Sequence, residues 1–337
     1  MRALVTGGGG FLGGAIVRLL CDRGDSVRSF SRQSYPSLES LGVEQVRGDL
    51  VDPTAVRAAA AGCDVVFHVA ARAGIWGPWA EYHRANVAGT DHVISACRAN
   101  GIRRLVFTSS PSVIFDGVDQ NGANESEPYP GRFLAHYPHT KALAEQAVLA
   151  ANGPELATVA LRPHLIWGPG DPHLIPRLIG QARAGRLKRI GRESKLVDTV
   201  YVDNAAVGHV HAADRLAPGA PVAGKAYFLS QGEPEPLWDF VDRLLAAAGL
   251  PPITRSVSAR VAYATGAAWE GLYRLFRLRR EPPMTRFVAR QLSTAHWFDL
   301  TAARRDFGYV PAVSTDEGLK RVAHWLQGQP PREAATR

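Results

Sequence analysis

Two side chains of the 337-residue sequence have the types and the spacing for proton transfer: Tyr137 and Lys141, in His136-Tyr137-Pro138-His139-Thr140-Lys141. Four residues apart in a segment of helical character, they share one helix face, and Pro138 suits a first turn, where its missing N–H is not required. A free phenol, with a pKa near ~10, exchanges protons poorly at neutral pH, and a neighbouring ammonium favours its ionised form. Such a pair could trade a proton with an alcohol or carbonyl oxygen. Tyr-x-x-x-Lys alone also describes many surface helices, so its weight rests on what precedes it. The cluster Ser109-Ser110-Pro111-Ser112 closes the apolar run from Arg104 to Thr108, where it either ends a strand or offers hydroxyls to a bound oxygen.

Redox chemistry at that oxygen needs a hydride carrier, and the N-terminus has a place for one. Ala3-Leu4-Val5-Thr6 has β character, Gly7-Gly8-Gly9-Gly10-Phe11-Leu12-Gly13-Gly14 follows, and Ile16, Val17, Leu19 and Leu20 then recur at helical spacing. The glycines therefore sit at a strand-to-helix turn. Gly7 allows the tight turn, Gly10 lets the backbone approach a pyrophosphate, and Gly13 lets the helix pack closely on the sheet. The phosphate charge would face the helix N-terminus.

A second strand, Ser26 to Phe30, ends in Ser31-Arg32, where a dinucleotide-binding fold chooses its cofactor. An acidic residue there accepts hydrogen bonds from a ribose 2′-hydroxyl; a 2′-phosphate needs the carboxylate absent and a cation near, so NADP(H) is favoured over NAD(H). Val43 to Val46 reads as a third strand. Val65 to Val69 is a nearly continuous apolar run, as in a parallel strand buried on both faces, and His68 within it reads as a core histidine. The small residues Ala70 and Ala71 after it allow a cofactor to lie close. A loop containing Trp76 follows, then helical spacing from Glu81 to Asn100.

The order of glycine turn, serine cluster, Tyr137 and Lys141 resembles the extended branch of the short-chain dehydrogenase/reductase superfamily, and Thr6 to Gly13 fits its leading motif throughout. The resemblance implies an α/β, Rossmann-like doubly wound parallel sheet with a smaller, mostly C-terminal substrate-binding lobe. It implies that Ser110, rather than Ser109, hydrogen-bonds the substrate oxygen and that Lys141 lowers the Tyr137 pKa and holds the nicotinamide ribose. Asp49-Leu50 resembles the adenine-flanking turn, Asn86 the asparagine that braces the site, and Pro163 a further cofactor contact. Phe11 and Leu12 belong to the same cofactor set, and Ser112, Trp76 and His164 are candidate substrate contacts.

Val113 to Asp119, Asn124 to Pro130 and His136 to Ala142 resemble the 3β-hydroxysteroid dehydrogenase-like branch. Within it, Ala73 to Gly77, Leu161 to Asp171, Glu281 to Phe287 and His296-Trp297 resemble the reductases of bacterial long-chain olefin biosynthesis. That likeness implies NADP(H)-dependent interconversion of a 2-alkyl-3-oxoalkanoate and a 2-alkyl-3-hydroxyalkanoate, ahead of a β-lactone-forming partner enzyme. A 3β-hydroxysteroid or sterol-4-carboxylate dehydrogenase is the alternative of the same chemistry. A catalytically silent NADP-sensing or scaffold protein is the alternative of another class. A homodimer through the helices near 81–100 and 137–150 is the family expectation.

The implied division places the cofactor core at 1–172 and 196–230 and the lobe at 173–195 and 231–337, with 256–280 as a lid or docking helix. In that stretch Val261, Ala264, Ala268, Leu272, Leu275 and Phe276 recur at helical spacing among arginines, either as a lid packed on its own core or as a surface for a membrane or a partner. The hydrophobic and charged fractions, 46% and 21%, are those of an ordinary globular protein. The net charge of +8 does not imply nucleic-acid binding, because five of the 39 basic residues are lysine and they form no block. The three cysteines, Cys21, Cys63 and Cys97, stand far apart and suggest reduced structural thiols; no metal site is expected. With no signal-like segment and no long apolar run, the expectation is a cytoplasmic protein.

Overall fold

The computed structural model describes residues 1–328 other than Arg192 and Ser194, so these two positions and 329–337 of the expected lobe lie outside the described residues. Its centre is a seven-stranded sheet. β1 (Arg2–Thr6), β2 (Ser26–Ser31), β3 (Glu44–Arg47), β4 (Val65–His68) and β5 (Arg104–Thr108) are joined by the strands Ala157–Pro163 and Lys225–Leu229. In space the order runs Lys225–Leu229, Ala157–Pro163, β5, β4, β1, β2, β3, and every neighbouring pair is parallel. The chain winds outward from β1 to β3, then crosses back to β4. That reversal opens a crevice beyond the carboxyl ends of β1 and β4, the place where such sheets hold ligands.

Burial explains the strand compositions. β4 and the strand Ala157–Pro163 are buried at every position, so neither alternates. Helix α1 (Phe11–Asp22) packs on the sheet through Ile16, Val17 and Leu20, all fully buried. The expected helix over 81–100 is broken into Trp79–Tyr82, a π-helical segment His83–Ala88 and Gly89–Ala99. Such a widened turn re-aims a side chain without ending the helix. Here the segment carries Asn86 into the interior.

A second sheet lies in the smaller lobe, ordered Glu235–Pro236, Leu196–Val197, His296–Phe298, Gln120–Ala123. Its last strand comes from the loop between Ser112 and Tyr137, and pairs in parallel with His296–Phe298. The chain that links the serine cluster to the tyrosine is thereby tied to the lobe.

The helix Ala259–Leu275 departs from the reading of a lid packed on its own apolar stripe. Val261, Ala264, Ala268, Leu272, Leu275 and Phe276 are all exposed. The buried face is Ala262, Gly266 and Glu270. At Gly266 an added Cβ would stand 2.6 Å from the carbonyl carbon of Thr285, so only glycine permits this approach. The Glu270 carboxylate accepts hydrogen bonds from the Arg286 backbone N–H (2.8 Å) and guanidinium (2.8 and 3.0 Å). A close backbone contact and a buried ion pair fasten the helix, leaving its apolar stripe outside. Among the described residues no helix is long and apolar enough to cross a membrane.

Candidate active site

The N-terminal turn is built for an anion. Gly7 lies in the left-handed region, φ 73°, and an added Cβ would stand 3.1 Å from the Ala70 backbone. At Gly13 the added atom would lie 2.1 Å from the Gly7 carbonyl oxygen, which excludes any side chain. Gly10 caps α1 with extended backbone, with no side-chain cap and no acid in the first turn, so the helix N-terminus keeps its partial positive charge. Phe11 is half-buried and Leu12 is buried in the core. Thr6 locks the far wall: its hydroxyl accepts from the N–H groups of Val69 and Ala70, both at 3.1 Å. His68 is held between Thr6 (2.8 Å) and Thr90 (3.0 Å), and burial keeps its imidazole down at about 3, a neutral core histidine.

At the end of β2 the Ser31 hydroxyl is buried with no hydrogen-bond partner, an orphaned polar group pointing to a ligand. Arg32 beside it is exposed. The Glu44 carboxylate on adjacent β3 is taken by Arg2 and Arg28, and Arg32 has no ion-pair partner among the described residues. These residues fit a dinucleotide carrying a further anionic group. Asp49 is exposed and accepts from the Val51 N–H at 3.2 Å, while the Leu50 carbonyl meets His92 Nδ1 at 2.7 Å. Ala70 and Ala71 leave the crevice floor open, and Pro163 is buried at the end of its strand.

Tyr137 and Lys141 lie on the helix His136–Ala150, which packs on the strand Ala157–Pro163 and on the turn Pro111–Ile114 that follows β5. Burial pushes the Tyr137 phenol up to about 12; a hydrogen bond with Ser110 works against that and nearby Tyr82 adds to it. Ser110 Oγ is also 2.9 Å from Ser112 Oγ, so the two hydroxyls and the phenol form one polar group beyond β5. The Lys141 side chain is anchored on the strand below the site. Lys141 Nζ donates to the Thr108 carbonyl at 2.5 Å, and burial holds its pKa down at about 7 against the pull of Glu145. Helical spacing sets which face two side chains share, but not where a long flexible lysine places its charge.

Asn86 braces the site from below. Its Oδ1 accepts from the Arg72 N–H at 2.7 Å, and its Nδ2 donates to the Arg72 carbonyl (3.2 Å) and the Thr140 hydroxyl (3.0 Å). With that amide satisfied by protein and buried, Asn86 joins the loop after β4 to the Tyr137 helix instead of touching a cofactor. His164 is buried as well. It is 6% exposed and pairs with His296 Nδ1 at 2.7 Å, because the lobe sheet closes over it.

A cleft of about 890 Å³ opens beside His136, between the core and the lid helix. Trp76 lines it and donates to the Leu278 carbonyl at 3.0 Å. On the opposite wall His139 is held between Phe133, stacked at 4.7 Å, and Trp79, also at 4.7 Å.

Two features had little signal in the sequence. Tyr35 lies across the glycine turn, its ring 2.0 Å from where a Gly9 Cβ would be, and Gln45 fixes it through the Tyr35 N–H and carbonyl. Gly9 leaves room for that ring. Behind the helix His136–Ala150, Arg162 donates to Glu145 at 2.5 and 3.0 Å, and Tyr129 donates to the same carboxylate at 2.7 Å. Glu145, one turn beyond Lys141, was readable only as a helix former.

An anion-binding turn at the switch point of a doubly wound sheet, with Ser110 and Tyr137 beyond the next strand, defines an oxidoreductase of the dinucleotide-binding class. The chain belongs to the 3-beta hydroxysteroid dehydrogenase/isomerase family, whose model matches residues 4–258. It is 57% identical to a 2-alkyl-3-oxoalkanoate reductase of Stenotrophomonas maltophilia, over 96% of this chain and 98% of the relative. To the 2-alkyl-3-oxoalkanoate reductase of Shewanella oneidensis it is 53% identical, over 95% and 85%. Among solved structures it resembles MoeE5 in complex with UDP-glucuronic acid and NAD, with 25% identity, a TM-score of 0.74 and coverage of 97% and 99%. As a member of that family the chain is a dehydrogenase/reductase acting on CH–OH or keto groups.

Proposed function

We propose that this protein reduces a 2-alkyl-3-oxoalkanoate to the 2-alkyl-3-hydroxyalkanoate with NADPH, reversibly, with Tyr137 as the proton donor. The observation that carries the reading is the placement of the Ser110 and Ser112 hydroxyls and Tyr137 beyond β5, with His136 beside Tyr137 lining a cleft large enough for a branched acyl chain. A phenol held near 12 is protonated at neutral pH, the form needed to protonate an oxygen that gains charge as a ketone is reduced. Ser110 stabilises that oxygen by donating a hydrogen bond to it. Gly7, Gly10 and Gly13 would hold the pyrophosphate, and Ser31 and Arg32 the 2′-phosphate. Lys141, set on the Thr108 carbonyl, would meet the ribose. The nicotinamide, when bound, supplies the hydride.

The names of the two relatives support this substrate class, and the orphaned Ser31 hydroxyl with unpaired Arg32 supports NADP(H). The reading includes a homodimer through the 81–100 and 137–150 helices, a cytoplasmic location and release of product to a β-lactone-forming enzyme. NADPH oxidation with a 2-alkyl-3-oxo acid tests it against dehydrogenation of a 3β-hydroxysteroid. Preference for the steroid overturns the substrate, and turnover of neither favours the silent binding protein.

A further inference from the structure

The outward stripe of the helix Ala259–Leu275 is left uncovered by the described residues. Leu275 is 75% exposed, Phe276 63%, Val261 54%, Leu278 44% and Leu272 41%, so five of the eight exposed large apolar side chains of the described residues fall in this one segment. At 3.6 residues per turn, Val261, Ala264, Ala268, Leu272, Leu275 and Phe276 share an arc of roughly 120°. Arg260, Arg274, Arg277, Arg279 and Arg280 flank it, all exposed. The single acid from 258 to 280, Glu270, is buried under Arg286 and Arg274, and the following Glu281 pairs with Arg177 at 2.7 Å.

The end of the helix adds an independent sign. The Leu278 N–H bonds to the Tyr273 carbonyl at 2.9 Å and the Arg277 N–H to the Arg274 carbonyl at 3.2 Å, a helix-ending motif that puts Arg277 at φ 52°. Glycine is the residue of choice at such a position. An arginine there accepts backbone strain and presents a cation at the tip of the apolar stripe.

We propose that this face docks on an anionic phospholipid bilayer, with the helix in the plane of the headgroups and Leu272, Leu275, Phe276 and Leu278 below them. An apolar arc bordered by arginines, whose one exposed acidic neighbour, Glu281, is paired with Arg177, is complementary to such a surface, and it lies on the membrane without spanning it. The same turn forms part of the cleft wall through Arg274, Arg277 and Leu278, so an amphiphile held in the bilayer would meet the cleft mouth without crossing water. The inference stands on the surface alone and does not require the proposed substrate.

Co-sedimentation of the full chain with phosphatidylglycerol–phosphatidylcholine vesicles, against pure phosphatidylcholine vesicles, tests it. Binding to the anionic vesicles is expected, with little on the neutral ones and a decline as salt rises. Leu275→Asp with Phe276→Asp should weaken binding tenfold or more. Arg277→Gly should keep or raise the thermal midpoint, because it relieves the left-handed backbone, yet weaken vesicle binding about fivefold. No binding to anionic vesicles, or unchanged binding by the double Asp variant, overturns the proposal. So does joint loss of stability and binding in Arg277→Gly. Self-association that the double Asp variant abolishes, without vesicle binding by the parent, assigns the face to a second copy instead.

Discussion

Lys141 Nζ stands 2.5 Å from the carbonyl oxygen of Thr108 and 4.0 Å from the centroid of the Phe107 ring, both on β5. The ammonium is thus fastened to the strand that ends in the serine cluster.

That placement has a consequence for stability. Burial brings the Lys141 pKa from 10.5 in the unfolded chain to about 7 in the fold, so between these values the unfolded state binds more protons and stability rises with pH. The penalty is fullest below pH 7 and disappears toward pH 10.5. The part due to Lys141 should be about 1 kcal/mol between pH 7.5 and 8.5. Denaturant unfolding of the parent and of Lys141→Met at these two pH values measures it; an equal pH response in both proteins refutes the account.

In the proposed reaction, Tyr137 would set the asymmetry between the two directions. Oxidation of the hydroxy acid needs the phenolate, a small fraction of a group held near 12, so its rate should climb about tenfold per pH unit from 7 to 9. Tyr137→Phe should lower turnover in both directions by about 10²- to 10⁴-fold while cofactor affinity changes little. Initial rates together with NADPH fluorescence titration separate the two effects, and retained turnover in the Phe variant removes Tyr137 from the chemistry.

Arg32 bears on cofactor choice alone. Loss of one charge-assisted contact to a 2′-phosphate should weaken NADPH binding about tenfold or more in Arg32→Ala and leave NADH binding unchanged. Equal affinities for the two cofactors in the parent would contradict the assignment.

The Glu145–Arg162 pair concerns the frame. Arg162 is 3% exposed and Glu145 fully buried, so Glu145→Ala leaves a buried cation unpaired and should cost about 3–5 kcal/mol of stability. The double variant Glu145→Leu with Arg162→Met should recover much of that loss, since it buries no charge. Urea unfolding of the three proteins tests this, and a fully additive double variant counts against the pair acting as a unit.

The sequence determined a good deal by itself. Local chemistry wrote the glycine turn, the continuous apolar run of β4 and the neutral core role of His68, because strand burial and backbone approach leave their marks on neighbouring residues. The parallel doubly wound sheet was implied by the resemblance of the glycine turn, the serine cluster, Tyr137 and Lys141 to the extended short-chain dehydrogenase/reductases. What the residues could not say was where groups distant in the chain meet. Tertiary packing turned Lys141 onto Thr108, laid Tyr35 over Gly9, and closed His296 over His164 across 132 positions. It also decided which side of the helix Ala259–Leu275 faces inward: periodicity marks an apolar stripe, but the close approach of Gly266 to Thr285 and the hold of Arg286 on Glu270 turned that stripe to the outside. A pattern along the chain fixes a face, and only the surroundings fix the direction in which it points.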